Sequence, residues 1–197
     1  MKTVVVYIHG AGGSAAEAEH YKGLFPDSEV IGFDYRSQTP WDAITEFQNF
    51  FETIMPEYNS AILIANSIGA FFAMHALSSV CFEKTYFISP IVDMEKLITD
   101  MMRRAGVTEE ELEEKEIVKI SFGQDLSWKY LTWVRNHSFV WNHPTAILYG
   151  NYDNLQSIYT IQTFARECEA TITVMKNGEH WFHTEEQMKF LDQWICS

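Results

Sequence analysis

The sequence predicts an α/β domain in three layers, helix on sheet on helix, around a mostly parallel sheet of about six strands. Three observations carry this. Continuous β-branched runs recur along the chain, apolar residues at helical spacing lie between most of them, and the alternation breaks only once, late in the sequence.

The first run, Thr3-Val4-Val5-Val6-Tyr7-Ile8, shows no polar alternation, as a strand covered on both faces requires. Similar runs follow at residues 29–33, 61–65, 85–89, 146–149 and 171–175. Trp41, Ile44, Phe47, Phe51, Ile54 and Met55 recur mostly in steps of three and four, which gives a helix one apolar face. Residues 68–80 are apolar nearly all round, the pattern of a helix buried at the centre. Met188, Leu191 and Ile195 mark an amphipathic C-terminal helix. With no internal repeat and no low-complexity linker, residues 1–197 are read as one domain.

The break spans residues 94–142, too long for a simple crossover loop. A short helix is expected around residues 94–104. A capped helix should follow at 108–116, with Thr108 and Glu111 as a capping box and its glutamates as a solvated face. Beyond it, Trp128, Tyr130, Trp133, Phe139 and Trp141 form an aromatic-rich stretch. A helical insertion after the fourth strand is expected to form a lid over the C-terminal edge of the sheet, where open α/β proteins bind ligands.

The net charge of −13 argues against nucleic acid, because phosphate binding needs clustered Lys and Arg. The apolar run ending at His9 is too short for a membrane span and lacks the flanks of a signal peptide. Cys81, Cys168 and Cys196 are scattered, with no CxxC pair and no metal-ligand spacing. They are read as reduced thiols of a cytoplasmic protein.

Ala61-Ile62-Leu63-Ile64-Ala65-Asn66-Ser67-Ile68-Gly69 is a buried strand running into a buried helix through a serine. A serine at such a junction sits on a sharp turn with its hydroxyl raised at the sheet edge, and the residues two before and two after it must be small. Ala65 and Gly69 meet that need. Ile68 then opens the helix, and its backbone N–H points where an oxyanion would form, beside the positive end of the helix dipole. Read alone, Ser67 could equally be a helix cap.

The junction resembles the nucleophile motif G-x-S-x-G of the α/β-hydrolase family, with Ala65 in place of the first glycine. The resemblance covers nearly the whole chain and implies a reduced version of that fold, beginning at the strand that bears His9. Gly10-Ala11-Gly12-Gly13 after this strand is similar to the family's H-G-x-G turn, which makes the Ala11 N–H the second oxyanion donor, with His9 structural. The family's acid falls in a turn after the penultimate strand, where Gly150-Asn151-Tyr152-Asp153 matches. Asp153 could instead cap the segment beginning near Leu155, and Asp93, just past the fourth strand, is the alternative acid. The family's histidine lies in a loop before the final helix. Here that loop reads Gly178-Glu179-His180, with the glycine one residue nearer than usual. His180 is preferred to His183. The resemblance thus implies a serine hydrolase with a triad of Ser67, Asp153 and His180, acting on a small acyl substrate (a carboxylester or thioester) with no cofactor and no metal.

Two other functions fit parts of the sequence. Gly10-x-Gly12-x-x-Ala15 matches the dinucleotide fingerprint, with Asp34 at the end of the next strand where an acid could hold a ribose. That would make an NAD(P)-binding oxidoreductase. A non-catalytic, hydrolase-like binding protein is the third possibility.

Overall fold

The structure is a computed structural model and describes residues 2–197. From the N-terminus, β1 (Thr3–Ile8) leads through the glycine loop into a 3-10 helix (Ala15–Gly23). Then come β2 (Glu29–Phe33), α1 (Pro40–Ile54), β3 (Ser60–Asn66), α2 (Ile68–Ala76) and β4 (Phe82–Ile88). Residues Asp93–Phe139 fold as a compact unit of their own. This unit holds α3 (Met94–Ala105), α4 (Glu109–Lys115), the two-residue strands β5 (Ile117–Val118) and β6 (Leu126–Ser127), and α5 (Trp128–Asn136). The chain then returns through β7 (Thr145–Gly150), α6 (Ile158–Glu167), β8 (Thr171–Met175) and α7 (Glu185–Ile195).

The six long strands form one sheet in the order β2-β1-β3-β4-β7-β8, and every neighbouring pair is parallel. This is the architecture expected from the sequence. The chain leaves β1 toward β2 on one side and returns to β3 on the other. Between the C-terminal ends of β1 and β3 lies the crevice such a reversal opens, the usual ligand site of an open α/β sheet.

The strand at the reversal is covered on both faces, so Val4, Val5, Val6, Tyr7 and Ile8 are all buried. Their side chains alternate between two cores. Val5 and Tyr7 join Tyr21 of the 3-10 helix, Ile64, Leu148 and, from α7, Leu191, Trp194 and Ile195. On the α1–α2 side, the Phe47 ring lies 4.9 Å from Phe33, 5.1 Å from Tyr35 and 6.1 Å from Phe72. α1 owes its start to Thr39, which caps the Asp42 N–H, followed at once by Pro40.

In the unit Asp93–Phe139, the α3 N-terminus is capped by Asp93, which accepts the Lys96 N–H at 2.8 Å. Arg135 of α5 binds Glu95 of α3 and both carboxylate oxygens of Glu109 of α4, each at 2.7 Å. One guanidinium thereby ties three helices together.

Several expectations need correction. The helix expected over residues 68–80 ends at Ala76, where Leu77 and the two serines after it turn the chain; the Val80 N–H closes that turn on Leu77 O at 3.1 Å. Thr108 does cap the Glu111 N–H at 3.2 Å, but the Glu111 carboxylate pairs with Lys115 at 2.6 Å one turn on. Trp141, placed with the insertion by composition, is buried in the sheet-bearing unit, with its ring near Phe87 and its Nε1–H donated to Thr145 Oγ1 at 3.0 Å. The β5–β6 pair was not foreseen, because two-residue strands carry no periodicity. Among the described residues, no helix is long and apolar enough to cross a membrane, and the three cysteines are free.

Phe47 is wholly buried among aromatic rings, so Phe47→Ala should leave a cavity that its neighbours cannot close. The expected cost is about 3–5 kcal/mol, read as a lower urea midpoint with an unchanged slope.

Candidate active site

β3 ends at Asn66 and α2 begins at Ile68, which leaves one residue to reverse the chain. Ser67 takes that turn with φ 53° and ψ −120°, a left-handed backbone rarely adopted by a side chain with a Cβ. Such a conformation costs on the order of 1–3 kcal/mol and persists only where its surroundings enforce it. Here they do. The Ser67 N–H donates to Ile88 O at 3.0 Å, and the Ser67 carbonyl accepts from the Ala70 and Ile91 N–H groups at 3.2 Å each. At Gly69 a Cβ would lie 2.4 Å from His9 O and 2.8 Å from Ile8 Cγ2, so the N-terminus of α2 can press against the end of β1 only through a glycine. Ile68 is the first residue of α2, where backbone N–H groups have no intrahelical acceptor.

Three side chains from distant parts of the sequence form one hydrogen-bonded chain. Ser67 Oγ lies 2.8 Å from His180 Nε2, and His180 Nδ1 lies 2.7 Å from Asp153 Oδ2. The Asp153 side chain is fully buried and that of His180 is 16% exposed. Asp153 also does what its alternative role required. Its Oδ1 accepts the Leu155 and Gln156 N–H groups at 2.8 and 3.1 Å, while α6 itself starts later, capped by Ser157. One oxygen holds the turn and the other holds the imidazole.

What brings the acid to the histidine is a contact that sequence reasoning missed. Gly150 ends β7 and Gly178 follows β8, its parallel neighbour. A Cβ on Gly150 would meet the carbonyl carbon and oxygen of Gly178 at 2.4 Å. The two loops are further joined by Tyr152 N–H to Gly178 O at 2.8 Å and Asn177 N–H to Asn151 Oδ1 at 2.6 Å. A glycine at the end of one strand and another just past its neighbour was the available signal.

The other candidates lie elsewhere. Asp93 is engaged in capping α3. The His183 ring sits 2.7 Å from the Trp181 carbonyl and is not in the Ser67 chain. His9 is buried, stacked on Tyr35 at 4.2 Å, with its Nδ1 2.8 Å from Gly10 O and its own carbonyl accepting the Tyr35 hydroxyl. These bonds shape the loop, and His9 is not part of the chain from Ser67 to Asp153. Among the described residues, no group of three or more His, Cys, Asp or Glu side chains is arranged to hold a metal ion.

A cleft of about 230 Å³ opens in front of Ser67, lined by the turn from Gly10 to Gly13, by Asn66 and His180, and by Glu17 and Trp181. Ala11 is thus on the same cleft as the serine. Glu17 was not anticipated, although Ser14 and Glu17 have capping-box spacing and do form that box. Its Oε1 accepts the Ser14 N–H at 3.1 Å and its Oε2 accepts the Tyr7 hydroxyl. Burial, then the neighbouring Tyr21 and the bond to Glu17, hold the Tyr7 phenol well above its ordinary range, so it remains a neutral donor. Two features tell against a dinucleotide here. The segment after the loop is a 3-10 helix, without the α-helical N-terminus that would face a pyrophosphate, and the Glu17 carboxylate already occupies the Ser14 N–H at the end of the loop.

No protein-family model matches the chain, and no characterised protein matches it by sequence. Solved structures do match its fold. Alpha/beta hydrolase domain-containing protein 10 from mouse superposes with a TM-score of 0.77 at 16% identity, over 98% of this chain and 87% of that one. Est1E from Butyrivibrio proteoclasticus gives 0.74 at 13% identity, over 99% and 86%. An esterase from Pyrococcus furiosus gives 0.64 at 18% identity, over 98% and 79%.

Gly150→Ala should force the acid turn and the histidine loop apart, since a Cβ at 2.4 Å from backbone cannot be absorbed by a rotamer change. A destabilisation of about 1–3 kcal/mol, seen as a drop of several degrees in Tm, is the expected result.

Proposed function

We propose that this chain, which has the α/β-hydrolase fold, is a serine hydrolase that cleaves a small carboxylester or thioester through an acyl-enzyme on Ser67. The observation that carries this is the hydrogen-bonded chain from Ser67 through His180 to a fully buried Asp153, at the C-terminal edge of a parallel sheet. A serine hydroxyl is a weak nucleophile until a base takes its proton, and the base must be held in one orientation and tautomer by a third group. The distances and the burial of Asp153 suit those roles.

In the proposed reaction His180 Nε2 takes the Ser67 Oγ proton as Oγ attacks the carbonyl carbon. The carbonyl π pair moves to oxygen, and the resulting oxyanion is held by the N–H groups of Ala11 and Ile68. Each such donor contributes about 3–4 kcal/mol in hydrolases of this kind. The imidazolium, stabilised by the Asp153 carboxylate, gives its proton to the leaving alkoxide or thiolate as the tetrahedral intermediate collapses. Water then enters, His180 accepts one of its protons, and the hydroxide attacks the acyl carbon. Collapse of the second intermediate returns the proton to Ser67 Oγ and releases the carboxylic acid. The cleft of about 230 Å³ lies below the usual range for drug-sized ligands, which favours a small acyl group.

The test is steady-state turnover of a short-chain p-nitrophenyl ester and its thioester counterpart. Ser67→Ala should lower kcat by about a millionfold. Asp153→Asn, which keeps the shape but reverses the imidazole tautomer, should cost about ten-thousandfold. Unchanged turnover in Ser67→Ala would refute the mechanism.

A further inference from the structure

The cleft in front of Ser67 contains a charge that the acyl-transfer chemistry does not use. Glu17 lines it, and its carboxylate is built into the fold, with the Ser14 N–H on one oxygen and the Tyr7 hydroxyl on the other. Tyr7 is buried in β1, an interior strand, so the carboxylate is tied to the sheet, unlike a surface glutamate that swings freely. The only other ionisable side chain on the cleft is His180; among the described residues, no Lys or Arg lines it. Trp181 lines the same cleft and is 67% exposed, which leaves indole surface open to a ligand.

We infer that Glu17 sets the charge preference of the site, favouring acyl groups that carry an ammonium and rejecting those that carry a carboxylate. The inference rests on the hydrolase reading above and deepens it to a substrate class. An acyl group seated on Ser67 within a cleft of about 230 Å³ keeps its own charge inside the Debye length of about 8 Å, so salt does not fully screen it from Glu17. An ammonium gains the attraction of the carboxylate and of the indole face. A substrate carboxylate meets repulsion at the cleft and from a chain of net charge −13.

The experiment compares kcat/KM for three p-nitrophenyl esters with acyl chains of equal length, ending in trimethylammonium, in its neutral tert-butyl isostere, and in a carboxylate. The wild type should prefer the cationic ester to the neutral one by about fivefold, the scale of one partly exposed ion pair. The anionic ester should be slower still, and raising the salt should shrink the spread. In Glu17→Gln most of that preference should be lost, leaving only what the indole contributes. A wild-type ratio near one, or a preference that Glu17→Gln leaves intact, overturns the inference. The matching methyl ketones, titrated into Ser67→Ala by tryptophan fluorescence, give the same comparison without turnover. Tighter binding of the cationic ketone that is lost on adding Glu17→Gln supports the charge preference even if every ester resists cleavage, whereas equal affinities refute it. Failure of all three esters with cationic-selective ketone binding would fault the hydrolase reading alone.

Discussion

The site depends on one close approach, that of the N-terminus of α2 to the end of β1. With no side chain at Gly69, the first turn of the helix lies against His9 O and Ile8, and the chain must reverse between Asn66 and Ile68 in a single residue. That geometry places Ser67 in a left-handed conformation that a serine would not choose. The cost is carried by the sheet. Its strands β1 and β7 are buried on both faces, and the Ser67 backbone is bonded to β4 and to the segment that follows it. A small local strain is therefore offset by a large, cooperative core, and the hydroxyl stands at the crevice where the strand order reverses.

The second requirement of the proposed chemistry, an oriented base, is met through the parallel register of β7 and β8. Gly150 pairs with Met175, so the turns leaving these strands emerge side by side. The glycine–glycine contact, the backbone bond from Tyr152 to Gly178 and the bond from the Asn177 N–H to the Asn151 side chain then fix the distance from acid to histidine. Asp153 is held by its own turn through Oδ1 before it meets the imidazole through Oδ2. Little conformational entropy remains to be lost when the three side chains align, which is the condition for preorganised chemistry.

Much of this was legible in the sequence, for identifiable reasons. β1 and β7, buried on both faces, leave continuous apolar runs, and the partly covered edge strands β2 and β8 are rich enough in β-branched residues to have the bounds predicted for them. Ser67 was named from its strand–turn–helix position, and Asp153 and His180 from the resemblance to the α/β-hydrolase family; the structure brings the three side chains together. What stayed hidden was long-range or too short to be periodic. The contact of Gly150 with Gly178 joins two loops that look unrelated until β7 and β8 are paired. The placement of Trp141 turns on which rings it packs against, information that an aromatic-rich composition does not contain. Glu17 had a visible capping pattern, but its presence on the cleft depends on the bond from Tyr7, a residue that in sequence reads only as part of a buried strand.

The central claim is that Ser67 is an activated nucleophile, and covalent labelling tests it most directly. The protein is exposed to a small fluorophosphonate, its intact mass is recorded, and the modified residue is located by tandem mass spectrometry. The account predicts a single phosphonyl adduct on Ser67, formed far faster than on any other hydroxyl of the folded chain. A well-folded protein that stays unlabelled, or one labelled at another residue, would contradict it.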